Sequence, residues 1–238
     1  MSTASRVTRV AALVLLFGLF APAVSHAQEA EAPSQPTLAR LCTALRAEEG
    51  GERMSRCQTV REARRGRVRA AVLRVTVLEG NSPEQLVIAV HGRAGWRRVG
   101  TLGPPAYSGH GMLGSLELTE LRVLEDDGHP VIRARARYWQ GEPEGDCVRG
   151  PVEEHLTLCR DDGGWRCLEL PVGSGAERAQ EGPLSEGGAT CEPRPGAAEW
   201  SVTAELAHGT VTVAETRGPI PEALRPRLVT RSFEDALE

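Results

Sequence analysis

From Arg67 onward, apolar and polar residues alternate along short stretches of the chain. RVRAAVLRVTVLE, QLVIAVHG, GWRRVGTL, SLELTELRVLE, PVIRARARYW, EEHLTLCR, GWRCLELPV, EWSVTAELA and GTVTVAET are rich in β-branched residues and leucine. A period of two sends every other side chain to the same face, so each run reads as a strand with one buried and one wetter face. Gly, Pro, Asp or Asn separates each run from the next. The spans His91 to Gly95, Glu125 to Pro130, Arg160 to Gly164 and Ala207 to Gly209 are short enough for tight hairpin turns. Strands joined this way run antiparallel. The expected fold is therefore mainly β, an antiparallel β-sandwich or a barrel-like sheet of hairpins.

Outside these runs the period is lost. Thr37 to Arg65 contains LARLCTALRAEE and MSRCQTVREARR, both rich in helix formers and separated by Gly50-Gly51. This predicts an N-terminal helical segment over 37–65, two short helices tied by a Cys42–Cys57 bond. Gly173 to Glu199 is rich in Gly, Pro, Ala and Glu and is expected as a long surface loop. Beyond Gly218, Pro221 and Pro226 precede RLVTRSFEDALE, a C-terminal tail or a last edge strand over 219–238.

The stretch HLTLCRDDGGWRCLEL asks what its two cysteines do. A three-residue turn at Asp162-Gly163-Gly164 brings Cys159 opposite Cys167, Leu158 opposite Leu168 and Leu156 opposite Leu170. One register thus serves both the leucines and the sulfurs, and directly opposed strand residues lie within reach of a disulfide. Zinc requires a fourth ligand and a CxxC or HxxxH spacing, and neither accompanies His155 and this pair. A redox pair favours CxxC at a helix start. With Cys42–Cys57 and Cys159–Cys167 assigned, Cys147 and Cys191 remain for a third bond.

The same hairpin has an echo. LVIAVHGRAGWRRVGTLG and HLTLCRDDGGWRCLELPV align at a shift of 69 residues, with Gly95-Trp96-Arg97 matching Gly164-Trp165-Arg166. Either a duplication or independent recurrence of one hairpin solution accounts for it. On that alignment Val90 and Arg98 replace the cysteine pair.

The N-terminus changes the picture from a β domain to an exported one. Arg6 and Arg9 precede an apolar run from Val10 to Phe20, followed by Pro22 and Ser25-His26-Ala27. This is the pattern of a secretory signal peptide over 1–27, cut after Ala27, with a short disordered linker over 28–36 and the stapled domain over 37–218. The apolar run is too short to cross a bilayer, so no membrane span is expected after cleavage. All six cysteines lie beyond the cut, which fits three disulfides in a secreted or periplasmic protein.

The net charge of -4 becomes about -6 when Arg6 and Arg9 leave, which disfavours nonspecific attraction to nucleic acid. Aromatic stacking residues are also sparse, so no nucleic-acid partner is expected. The 28 basic residues are all arginine, and eight of them lie between Arg53 and Arg74 against Glu62 alone. This block reads either as a patch for an envelope polymer or as solvated strand faces. The alternating Arg133, Arg135 and Arg137, opposite carboxylates such as Glu117 and Glu120, favour solvated faces.

Few residues suggest chemistry. VIAVHG resembles, over about six residues, the strand and His-Gly turn near the oxyanion hole of the α/β-hydrolases, while His91 by itself reads as a polar turn residue. That family also needs a G-x-S-x-G nucleophile elbow. Ser108 in PAYSGHG lacks the first glycine, and Ser185 in GPLSEG has Pro183 in its place. The Gly-rich PPAYSGHGMLGS groups Tyr107, Ser108 and His110 in a possible ligand loop. It has neither the P-loop lysine nor the Rossmann pattern. Asp126-Asp127 and Asp161-Asp162 sit before glycine as turn residues, without calcium-loop spacing. Trp96, Trp139, Trp165 and Trp200 fit strand positions, either as core or as a sugar-stacking platform. The sequence thus predicts an exported, non-enzymatic β-rich protein that binds or supports an envelope polymer or protein, with no cofactor and no metal. The alternative is an extracytoplasmic hydrolase with scattered residues.

Overall fold

A computed structural model of the chain describes residues 37–48, 55–77, 83–108, 112–183, 185–194, 199–222 and 231–237. The predicted signal peptide and linker lie outside the described residues. Among the described residues one helix, α1 (Leu38–Glu48), is followed by strands. Thr37 caps α1, its Oγ1 accepting the Arg40 N–H at 3.2 Å, which satisfies one of the helix's unpaired donors.

The first sheet is a meander of β1 (Ser55–Arg65), β2 (Val68–Val77), β3 (Glu84–Gly92) and β4 (Gly95–Ala106), in chain order. Here the expectation of a second helix over Ser55 to Arg65 is corrected. The segment is a strand paired antiparallel with β2 from Ser55↔Val77 to Arg65↔Val68. Its helix-forming composition yields to tertiary pairing through a tight turn at Gly66, whose φ of 57° suits glycine. The Cys42–Cys57 bond therefore ties a helix to a strand.

The second sheet is built on β6 (His129–Glu144), flanked by β5 (Leu113–Asp126) and β8 (Val152–Asp161), with β9 (Trp165–Ser174) beyond β8. The far end of β6 turns into β7 (Cys147–Gly150), which pairs β10 (Arg178–Glu181). The expected loop over 173–199 is thus interrupted by β10 and contains the end of β9. The hairpin β11 (Trp200–Ala207) and β12 (Thr210–Arg217) joins β9 only at Trp200 and Ser201. The tail supplies β13 (Arg231–Ser232), a two-residue edge strand on β12. Two turns, at Asp127-Gly128 and His208-Gly209, have positive φ at both central residues, the geometry that matches the strand twist of two-residue hairpins.

Three apolar clusters define the layers. Val72, Leu86, Ile88 and Leu102 of the first sheet pack on Leu116, Ile132, Ala134 and Cys159 of the second. Leu73, Val75, Val87 and Trp96 turn the other way, under Leu45 of α1. The opposite face of the second sheet buries Leu156, Leu158 and Leu170 under Val202, Val211, Ile220 and Phe233. Each such side chain removed from water stabilises the fold by about 2 kcal/mol. The fold is thus helix, sheet, sheet and covering hairpin.

β1 and β5, edges of the two sheets, are not paired through their backbones, so the sandwich does not close into a barrel. Arginines cross this seam instead. Arg61 donates to the Thr119 carbonyl at 3.3 Å and Arg74 to the Leu116 carbonyl at 2.8 Å, satisfying acceptors that β5 would otherwise leave at its open edge.

Candidate functional site

All six cysteines are bonded, as Cys42–Cys57, Cys147–Cys191 and Cys159–Cys167. In the β8–β9 hairpin, Cys159 faces Cys167, Leu158 faces Leu168 and Leu156 faces Leu170. Cys159 is fully buried between the sheets, so this bond lies in the core. The echo hairpin has a different register: Trp96 opposes His91, whereas Trp165 opposes Asp161. Under the shift of 69 the partners differ by one residue, so Arg98 faces Ala89 rather than Val90. The two hairpins share a string of residues without sharing a strand register.

The loop proposed for a ligand is tied to its own strands. The Tyr107 N–H donates to Gln140 Oε1 at 2.8 Å, and Gln140 Nε2 returns a bond to the Tyr107 carbonyl at 3.1 Å. Ser108 Oγ accepts the Gly114 N–H at 3.2 Å and donates to the Gly114 carbonyl at 3.3 Å. Its hydroxyl is occupied by backbone, and His110 lies outside the described residues. The turn histidine His91 packs edge-on against Trp96 with ring centroids 5.3 Å apart. Trp96, Trp139 and Trp200 are buried, and Trp139 donates its Nε1–H to the Gly150 carbonyl at 3.0 Å. These indoles serve packing rather than an exposed platform.

The arginine block is largely engaged. Besides the seam bonds of Arg61 and Arg74, Arg65 faces Glu125 at 3.8 Å, Arg69 binds Glu62 at 3.0 Å, and Arg64 donates to the Gly66 carbonyl at 3.0 Å. These contacts hold edges and turns, as solvated faces do.

Two polar constellations emerge that sequence reading did not find. His155 is buried between Glu169, 3.1 Å from Nδ1, and Glu153, 3.2 Å from Nε2, with Tyr138 edge-on to its ring. Burial pushes the imidazole pKa down, but the two carboxylate hydrogen bonds and charges outweigh burial and raise it to about 9. The bond to His155 in turn lowers the Glu153 pKa against its own burial. Burial first, then the Glu153 charge, raises that of Tyr138. The second constellation joins three turns. Asp126 accepts the N–H groups of His208 and Gly209, and Arg160 lies 3.5 Å from Asp126 and 3.1 Å from Asp162. His129 closes the set at 2.8 Å from Asp162.

A set of concave features lies on the outer face of the second sheet, beside the β11–β12 hairpin. Three neighbouring depressions of about 370, 330 and 360 Å³ have walls in common: the first two share Arg137 and Glu154, and the last two share Glu120 and Arg122. Strand alternation places Arg133, Arg135 and Arg137 along this trough at about 7 Å spacing. Arg133 is held firmly, donating to the Ala204 carbonyl at 2.9 Å and to Glu120 at 3.4 Å. Arg135 and Arg137 share Glu154, at 3.8 and 3.4 Å, and Arg137 also faces Glu117 at 3.9 Å. At one end Arg217 and Glu199 pair at 3.0 Å beside Trp200. Among the described residues no group of three His, Cys, Asp or Glu is arranged to hold a metal ion, and no helix is long and apolar enough to cross a membrane.

Comparison with known proteins finds no matching family model, no matching curated protein and no matching solved structure.

Proposed function

We propose that this chain is an exported, disulfide-stapled β-sandwich that acts by binding, and that the trough across its second sheet is the ligand site. Three disulfides in a β-rich fold are consistent with an extracellular protein. The Arg6/Arg9, apolar-run and Ser25-His26-Ala27 pattern adds the route of export. The observation that carries the site is the row of three depressions with shared walls. Their charged walls stand on hydrogen-bonded strands, which hold the backbone of the site in place. Paired Arg and Glu along its walls suit a polar, charged chain such as an envelope polymer or an extended polypeptide.

Two measurements test this. Expression of the full chain in a secreting host, with mass spectrometry of the recovered protein, is expected to show an N-terminus at Gln28 and three intact disulfides. Array screening against glycans, envelope polymers and peptides is expected to give ligands whose binding falls on Arg122→Glu or Arg137→Glu. Ligands indifferent to both substitutions would remove the trough from the binding site.

A further inference from the structure

We infer that the middle of the trough is a seat for an oxyanion, a carboxylate, sulfate or phosphate group of the ligand, and that Glu154 occupies this seat in the free protein. The inference rests on the trough being the ligand site and adds the chemistry it reads. Glu154 presents one carboxylate oxygen to each of two guanidiniums, Oε2 to Arg135 at 3.8 Å and Oε1 to Arg137 at 3.4 Å. Well-formed guanidinium–carboxylate bonds close to about 2.8 Å and use two parallel N–H donors of one arginine. Here neither arginine has that geometry. Arg135 is the less satisfied of the two: its Nε is buried and has no hydrogen-bond partner among the described residues. A buried donor left unmet is costly and calls for an acceptor.

The neighbouring arginine provides the contrast. Arg133, two residues back on the same face of β6, spends its donors on the Ala204 carbonyl and Glu120 and so holds the covering hairpin in place. Arg135 and Arg137 make no comparable bond to a covering carbonyl: both face the Glu154 carboxylate of the next strand, and Arg137 has the exposed Glu117 on its other side at 3.9 Å. Planar guanidiniums bind carboxylate, sulfate and phosphate in forked geometry. A ligand oxyanion entering between them can meet the vacant Arg135 donor and displace Glu154 toward solvent. No bond is made or broken covalently. The internal carboxylate competes with the ligand, which lowers affinity for lone ions and favours ligands with further contacts along the trough.

The test uses acetate, inorganic sulfate and inorganic phosphate as probes, with the disulfide-bonded secreted protein observed by calorimetry and by the arginine Nε–H signals in NMR. Glu154→Gln removes the competing charge and keeps the side-chain shape. It is expected to bind at least one probe tenfold or more tightly than the unaltered chain, with the Arg135 Nε–H signal shifting on titration. Adding Arg135→Ala or, as a second variant, the more exposed Arg137→Ala is expected to abolish that gain. Adding Arg64→Ala, an equal charge change on β1, is expected to leave it intact. No gain on Glu154→Gln would overturn the inference, as would a gain lost equally with Arg64→Ala. If the seat fails while array ligands still depend on Arg122, the trough remains the binding site and only its oxyanion chemistry falls. A working seat beside ligands indifferent to the trough would keep the seat and remove the ligand-site reading.

Discussion

Asp126 reaches from one hairpin turn to hold another, its Oδ1 accepting the His208 N–H at 2.6 Å while Oδ2 takes the Gly209 N–H at 2.8 Å. The carboxylate is buried and faces Arg160, so both its charge and its lone pairs are used. Asp126→Ala leaves two N–H groups without their acceptor inside the fold and takes from Arg160 one of its two carboxylates, Asp162 remaining at 3.1 Å, at a cost of about 3 kcal/mol. The loss should be local in character. Hydrogen exchange is expected to speed up first at Val202 to Val213 of the β11–β12 hairpin, before the two-sheet core responds. Uniform loss of protection would show that the hairpin does not depend on this contact.

Gly100 is shaped by the disulfide across from it. A Cβ at this position would lie 2.8 Å from Cys167 Sγ and 3.2 Å from Cys167 Cβ. Gly100→Ala must therefore push β4 away from the β8–β9 hairpin, costing about 1–3 kcal/mol in denaturant unfolding. The cost is expected to shrink when Cys159 and Cys167 are both alanine, because the obstructing sulfur is gone. An unchanged cost in that background would place the strain elsewhere.

The sandwich, its hairpin turns and the β8–β9 register were legible in the sequence because burial on one face imprints a period of two. β1 was not. Arg56, Thr59, Val60, Arg61, Glu62 and Arg64 are all exposed, so the strand carries no alternation and its composition reads as helix. The readable signal was the Gly66 turn leading straight into β2. Arg133, Arg135 and Arg137 announced a polar face, but Glu154 as their shared partner depends on the pairing of β6 with β8 across a turn and β7. Likewise Asp126 reads as a turn residue in sequence. Its grip on a hairpin some eighty residues later is a tertiary fact.

Two of the disulfides should differ in worth. Cys147–Cys191 spans 44 residues and Cys159–Cys167 only 8. Closing the longer loop removes more unfolded-state entropy, so replacing both cysteines by serine is expected to cost about 4 kcal/mol for the first pair and about 2.5 kcal/mol for the second. Denaturation of the two double variants checks the order. The reverse order would mean that core packing of Cys159 outweighs chain entropy.

His155 gives stability a pH dependence with a definite sign. In the folded chain it holds its proton up to about 9, against an ordinary value of 6.5. Its contribution is therefore fully present below about 6.5 and declines as pH rises, being lost above about 9. Glu153 works from the other side. Its pKa is lowered in the fold, so its contribution is present above the ordinary 4.5 and is lost as pH falls through the lower folded value. The groups facing the imidazole are Glu153, Glu169 and Tyr138, and the raised Tyr138 pKa keeps that phenol neutral across this window. Urea unfolding followed between about pH 6.5 and about pH 9 should show a falling free energy in the unaltered chain. His155→Gln, which keeps a polar side chain but cannot titrate, should be less stable at the acid end of the window and flat across it. A slope that survives the substitution would assign the pH dependence to other groups.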